Sequence, residues 1–417
     1  MARTERGTGR RRALRAAGGG ALVALLTAAT LPTADAAPAP ASSTLRISVA
    51  ADGTEANGPS SQPAISADGR VVAFVSHATN LVPGDPDDGA DLFVRDLRTG
   101  TLQRVAADGD IYFPELSANG RYVAYATQNG AESAVYVRDL RTGRTERADV
   151  ALDPGHTGGQ TPALSADGRT VAFAAYGTQP EGVSRAIYVR DLRAHRTERI
   201  SPDAGPGHSF RAPSLSADGR KVAYQDITGT PPRGDYSDLY VHDRRTGGTV
   251  QADTTHDGSP ADKAATAPLL SADGSTLAFT SGASNLVPGA DPNSSFNPFV
   301  RDLRTGTLTR VDATVPGPEG VLSADAISAD GTKLLLDVWA VLTTEDAAHI
   351  RDLRTGTDVL VTPNQDGDPG HAVDARMDAR ARTVAFSGFD DERFVPADTN
   401  GVQDVFVRKV GPVASPQ

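Results

Sequence analysis

The sequence contains no cysteine. Disulfides, thiol chemistry and lipid attachment through an N-terminal Cys are therefore excluded, and the chain must be held by its core. Large aromatic groups are scarce, at 5% of residues with a single Trp at position 339. No stretch places its apolar residues at a sustained helical period, which argues against a helical architecture. Lysine is nearly missing. Only four of the 41 basic residues are Lys, and with so much Ala this reads as coding bias rather than a nucleic-acid surface. The formal net charge is −11, a balance that repels phosphate backbones and anionic lipid, so nucleic acid is not expected as a partner.

What the chain has in quantity is turn residues, 42 Gly and 28 Pro, which suit many short strands. Its first 36 residues read as an export signal. Arg10, Arg11, Arg12 and Arg15 form a basic region, Ala16 to Leu31 is small and apolar, and Ala34-Asp35-Ala36 offers a cleavage site. That segment is short, Gly-rich and followed by Pro, so membrane insertion is not expected. Residues 1–36 are thus expected as a signal peptide, 37–43 as a flexible Ala/Pro-rich segment, 44–410 as one folded body and 411–417 as a disordered tail. The expected destination is secretion or the cell envelope. Without the signal the net charge falls to about −15, since that segment carries six Arg against Glu5 and Asp35.

One phrase recurs along the chain. Ser66-Ala67-Asp68-Gly69 is followed by Arg70-Val71-Val72-Ala73-Phe74, and equivalents start at Ser117, Ser165, Ser216, Ser271, Ser328 and, degenerately, Asp378. A second phrase, Asp91-Leu92-Phe93-Val94-Arg95-Asp96-Leu97-Arg98-Thr99-Gly100, also recurs seven times, with Arg95 answered by Arg138, Arg190, His242, Arg301, Arg351 and Arg408. Successive starts lie 48 to 57 residues apart, the length of a four-strand unit. Strand a is expected over Pro63–Ser66, a tight Asp-Gly turn follows, then strand b over Val71–Ser76, strand c over Asp91–Asp96 and strand d over Thr101–Val105. In strand b, Val72 and Phe74 alternate with Val71, Ala73 and Val75, so both faces are apolar. Such a sheet is stable only between neighbours, and radial packing of four-stranded sheets gives a propeller.

The ends predict how the ring shuts. After Asp404 to Arg408 no strand d follows, whereas Thr44-Leu45-Arg46-Ile47-Ser48-Val49 near the front reads like Thr101-Leu102-Gln103-Arg104-Val105. The expectation is an all-β, seven-bladed beta-propeller of four-stranded antiparallel blades, closed by residues 44–49 completing the last blade. Positions such as Arg95 and Asp96, repeated in nearly every blade, are read as structural, the Asp accepting turn N–H groups and the Arg pairing with carboxylates.

The two phrases resemble the TolB-type propeller repeat, in which the same places read roughly Ser-Pro-Asp-Gly-Lys-x-Ile-Ala-Phe and Ile-Tyr-Val-Met-Asp. The likeness runs through residues 44–408, at a WD-repeat-like period, and implies the fold without implying a chemistry. TolB proper carries an α/β domain before a six-bladed propeller, so its role in an outer-membrane complex is not implied for a seven-unit chain. The same repeat gates prolyl-oligopeptidase-like enzymes, but the Gly-x-Ser-x-Gly nucleophile turn of their hydrolase domain occurs nowhere here. Some TolB-like propellers that cleave acidic polysaccharides use a metal.

Loops b–c and d–a share one face of the disc, and function is expected on that long-loop face. In the b–c loops, Asp85-x-Asp87-x-x-x-Asp91, Asp291-x-Asn293-x-x-x-Asn297 and Asp398-x-Asn400-x-x-x-Asp404 have the alternating oxygens of a calcium loop, or equally of turn formers before strand c. In the d–a loops, His156, His208 and His371 follow Gly at similar offsets, with His256 at a different one, and three imidazoles at the channel mouth would suit a transition metal. Trp339 is read as blade packing. The function expected is a non-catalytic binding or scaffold module, a monomer taking a protein, peptide or glycan ligand on the long-loop face. The alternative is a metal-dependent, polysaccharide-lyase-like enzyme using those His residues.

Overall fold

The repeated turns dictate the strands. In the first, Ser66 Oγ bonds Asp68 (2.7 Å) and accepts the N–H of Val71 (3.0 Å), and Asp68 accepts the N–H of Arg70 (3.1 Å). Gly69 closes the turn at φ +69°, a conformation that costs a side-chain-bearing residue about 1–2 kcal/mol. Blade 7 reaches the same geometry with Asp378 replacing the Ser, its carboxylate taking the N–H groups of Arg380 and Arg382, and with Ala381 at φ +54°. At the c–d turn Asp96 accepts the N–H of Arg98 (2.8 Å) and Thr99 (2.9 Å), as expected of that repeated Asp.

The computed structural model describes residues 44–411 apart from 86–88, 178–184, 204–206, 229–235, 290–294, 313–319, 341–346, 390–392 and 397, and apart from the side chains of 320, 321, 339 and 340. The expected signal peptide, the 37–43 segment and all of the tail except Gly411 lie outside the described residues. The described chain forms seven four-stranded antiparallel sheets. Blade 1 is Ser60–Ile65, Val71–Ser76, Asp91–Asp96 and Leu102–Val105 for strands a to d. Blade 4, important below, is His208–Leu215, Lys221–Thr228, Tyr236–Asp243 and Gly248–Gln251. Among the described residues no helix is long and apolar enough to cross a membrane.

Each sheet is buried on both faces. Val72, Phe74 and Phe93 pack with Ile47, Ala385, Val405 and Val407 of blade 7, while Ala73, Leu92 and Val94 pack with Ile111, Val123 and Tyr125 of blade 2. The few aromatic residues are concentrated where strands b and c cross. Phe74–Phe93, Tyr125–Tyr136, Phe173–Tyr188, Tyr224–Tyr240, Phe279–Phe299 and Phe386–Phe406 stack at 5.6 to 6.1 Å, and in blade 6 Leu336 lies opposite His349 instead.

Blade 7 is completed from the front of the chain. Thr44–Arg46 pairs antiparallel with Asp404–Lys409 in the register Thr44↔Arg408, Leu45↔Val407 and Arg46↔Phe406. The ladder is shorter than the expected 44–49. Ile47 still donates to the Val405 carbonyl (2.8 Å), but Ser48 turns its hydroxyl inward to the Val405 N–H (3.0 Å) and the Asp404 carboxylate, and the chain bends away. A second closure runs around the axis. The Ala of each a–b turn donates its N–H to the carbonyl of the corresponding Ala in the next blade, through Ala67, Ala118, Ala166, Ala217, Ala272, Ala329 and Ala379 and back to Ala67, at 2.8 to 3.2 Å. All seven positions are Ala in the sequence.

Candidate functional site

The strands nearest the axis are all interrupted in one way. Each strand a carries a register shift against strand b, between Ser61 and Ala64 in blade 1 and at matching places in the other six. In five blades the bulge is a residue followed by Pro: Gln62-Pro63, Phe113-Pro114, Thr161-Pro162, Ala212-Pro213 and Ala267-Pro268. Pro cannot donate to a ladder and is confined in sheets to such breaks. The residue before each Pro sits at φ between +47° and +55°, and Asp374 of blade 7 does the same before Ala375. For β-branched Thr161 that is a genuine outlier. Strain of this kind gathers where a surface is pre-shaped for a ligand.

These bulges wall a central channel of about 610 Å³ to which the innermost strand of every blade contributes. Its wall is mainly Pro, Ala, Leu and Ile, with Phe113, the polar side chains of Gln62, Thr161 and Ser214, and four ionisable groups, Glu115, Asp325, Asp374 and Arg376. Burial pushes the carboxyls of Glu115 and Asp325 above the usual carboxylate range, and the Arg376 guanidinium pulls both back. The ring's visible signal in the sequence is the recurring Pro three residues before five of the six turn Ser, and none of the sites expected from the loops includes it.

The acidic b–c spacing meets an arginine. In blade 7, Arg46 reaches Asp398 at 2.9 Å, Asp404 at 3.1 Å and Glu55 at 2.6 Å, and Asn400 donates to Asp404 at 2.9 Å. In blade 1, Arg104 binds Asp85 at 2.9 Å and also Asp91. Arg46 and Arg104 occupy one place in the repeat, strand d opposite Phe406 and Phe93. A guanidinium therefore sits where the calcium reading would put the ion. Asn297 donates to the Ser295 carbonyl (3.1 Å), while Asp87, Asp291 and Asn293 lie outside the described residues. The repeated Arg of strand c meets the expected carboxylate in blade 6, where Arg351 pairs with Asp358, and in blade 3, where Arg190 lies 3.7 Å from Glu146, whereas Arg95 and Arg301 bind the carbonyls of Gly100 and Gly306 at 3.1 Å.

His156 and His208 are each engaged within their own blade. His156 stands edge-on to Tyr188 at 5.6 Å, held below its usual range by burial and by Arg199. His208 Nδ1 lies 2.8 Å from Asp226 and its ring stacks on Phe210. His371 is half-buried at the entry to strand a of blade 7, and His256 is exposed. Among the described residues no three His, Asp or Glu side chains are placed to share a metal. Trp339 lies in strand b of blade 6 opposite Val321, its side chain outside the described residues.

Residues 108–293 match the family described as the TolB beta propeller domain. No protein of curated function matches the sequence. Among solved structures, the oligogalacturonate lyase of Vibrio parahaemolyticus aligns with 88% of this chain and 94% of its own length, at 13% identity and a TM-score of 0.61. An oligogalacturonate lyase in complex with manganese covers 88% and 93% at 13% identity, TM-score 0.60. The β-propeller domain of the Trilobed protease from Pyrococcus furiosus, with an open velcro topology, covers 84% and 95% at 12% identity, TM-score 0.56. Identities this low speak for the fold alone. Over residues 108–293, set within a ring of seven four-stranded blades, the chain is TolB-like in its beta-propeller repeat.

Proposed function

We propose that the chain is an exported, monomeric, non-catalytic binding or scaffold propeller that takes a protein segment, peptide or glycan at its channel and long-loop face. The observation that carries this reading is the channel wall. Six of its seven strands hold a side-chain-bearing residue in the left-handed region, and five stiffen it with Pro, which pre-forms a concave surface before any ligand arrives. Glu115 and Asp325, both raised by burial, then act with Asp374 and Arg376 to orient a ligand against the Pro, Ala, Leu and Ile of the wall.

The rival is a metal-dependent polysaccharide lyase, suggested by the fold shared with oligogalacturonate lyases. Charge speaks against it. Three carboxylates and one guanidinium line the described channel, within a chain of net charge −11, and such a field repels a polyuronate. His156 and His208, which the lyase reading needs together, are each engaged within a separate blade.

The test is capture of peptides and neutral or acidic glycans by the immobilised chain, repeated with a Glu115→Gln/Asp325→Asn double variant. A ligand held by the parent and weakened about tenfold in the variant, the worth of one lost charge-assisted hydrogen bond, is the expected outcome. Capture unaffected by the double variant would move the site off the channel. Conversion of a polyuronate to an unsaturated product, dependent on added divalent metal and lost in His208→Ala, would replace this reading with the lyase.

A further inference from the structure

The seven blades act as controls for one another at the strand-d position that holds Arg46 and Arg104. Its equivalents, fixed by the ladder to strand c, are Arg147, Arg199, Gln251, Arg310 and Leu360 in blades 2 to 6. Two nearby positions vary with it, one in strand c (Asp91 in blade 1) and one two residues beyond the Arg. Where either is acidic, the Arg neutralises it. Arg104 binds Asp91 and Arg46 binds Asp404, while Arg147 binds Asp149 (2.8 Å) and Arg310 binds Asp312 (2.6 Å). Blades 3 and 6 carry no acid at either position (Ala186 and Ser201, Ala347 and Thr362): blade 6 has Leu360 in place of the Arg, while Arg199 of blade 3 donates to the Pro202 carbonyl (2.8 Å).

Blade 4 breaks the rule. Both positions are acidic, Asp238 and Asp253, and strand b adds Asp226 directly opposite Asp238. Like charges paired across a ladder destabilise it. Yet the strand-d residue is Gln251, which gives Asp253 only an amide hydrogen bond (3.1 Å). With His208 these acids form a rung at the long-loop edge, in which Asp238 stands directly opposite Asp226. His208 reaches Asp226 diagonally (Nδ1 at 2.8 Å, its own ladder partner being Thr228), and Asp253 lies two residues past Gln251. The rung continues the face that packs Tyr224 and Tyr240 against blade 3.

Asp226 and Asp253 are 4% and 0% exposed, and each keeps one carboxylate oxygen with no hydrogen-bond partner. Asp238 is half-buried and forms the accessible side of the rung. Burial and then Asp238 push the Asp253 carboxyl up to about 6, burial and then Asp226 raise Asp238, and burial raises Asp226 against the pull of His208. Arg301 of blade 5 lies within electrostatic range of Asp253, but its Nη atoms are spent on the carbonyls of Thr254 and Gly306.

We infer that this rung is a binding site for a cationic side chain of a partner, a guanidinium that enters from the long-loop face and takes the place the chain's own arginine fills elsewhere. A planar guanidinium rather than a metal ion fits, because blades 1 and 7 show one bridging carboxylates at this spot, whereas no three ligands of the rung are placed to share an ion among the described residues. The site is separate from the channel and does not depend on a ligand there.

Gln251→Arg supplies the test, because it installs the arginine of the other blades. Binding of a Gly-Arg-Gly amide peptide to the full chain is measured by calorimetry beside its neutral citrulline isostere at equal ionic strength. The parent is expected to prefer the arginine peptide by at least about tenfold, the scale of one charge-assisted hydrogen bond. Gln251→Arg is expected to abolish that preference and to raise the melting temperature, which shows the variant folded with its site filled. Equal binding of the two peptides by the parent would overturn the inference. So would an arginine preference that survives in a folded Gln251→Arg, or a stabilisation by divalent ions that the arginine peptide does not share.

Discussion

Removal of residues 44–49 is expected to yield a chain that aggregates or fails to fold cooperatively. The deletion strips blade 7 of its outer strand and leaves Asp404–Lys409 as an open edge of unpaired N–H and C=O groups, a template for pairing between molecules. It also uncovers the site of Ile47, which is 0% exposed between blades 7 and 1. The axial bond from Ala379 to Ala67 survives the deletion, so the experiment isolates strand pairing from the inner ring. Size-exclusion chromatography with thermal melting checks it. A monomer with an unchanged melting temperature would mean that the front strand is an ornament.

Arg46→Met is expected to cost about 3–5 kcal/mol, the usual penalty for leaving a buried ion pair with one member. Arg46 is only 9% exposed, as are Asp398 and Asp404 at 3% and 0%, so water cannot take over for the lost guanidinium. Burial already pushes the Asp404 carboxyl upward against the pull of Ser48, Asn400 and Arg46. Without Arg46 that carboxyl must either protonate or sit charged and unpaired. Chemical denaturation should therefore show a lower midpoint for Arg46→Met. Adding Asp398→Asn and Asp404→Asn to the same chain should recover much of the loss. A wild-type midpoint for the single variant would show that the cluster is solvated rather than structural.

Strands b and c were legible to the residue, since Val71–Ser76 and Asp91–Asp96 are bounded by turns whose Asp and Gly announce themselves. Strand a was read three residues short at its start. Gln62-Pro63 breaks the alternation there, and a bulge leaves an amino-acid pattern that looks like a strand end. The N-terminal strand could be placed from its likeness to strand d, but its early bend depends on Ser48 meeting Asp404, a contact across 356 residues. The acidic b–c loops were ambiguous between ion binding and turn formation for the same reason. Their counter-charge, Arg46 or Arg104, lies on another strand, and local spacing carries no trace of it. The Ala ring was in plain view as a repeated letter, while the hydrogen bonds that join it run between blades.

The shared fold does not by itself dictate how the ring is joined, since the Pyrococcus furiosus propeller of the same architecture has an open velcro. The most direct test is a disulfide between Thr44→Cys and Arg408→Cys. Ile47 bonds Val405 directly, so by the alternation of an antiparallel ladder Thr44 and Arg408 form a non-hydrogen-bonded pair, whose Cα atoms lie about 4.5 Å apart, within disulfide reach. The parent has no thiol to confuse the reading. Oxidation is expected to give one intramolecular bond in a monomer, with a melting temperature that falls again on reduction. Two thiols that stay free, or bonds that form only between molecules, would contradict a ring shut by the front of its own chain.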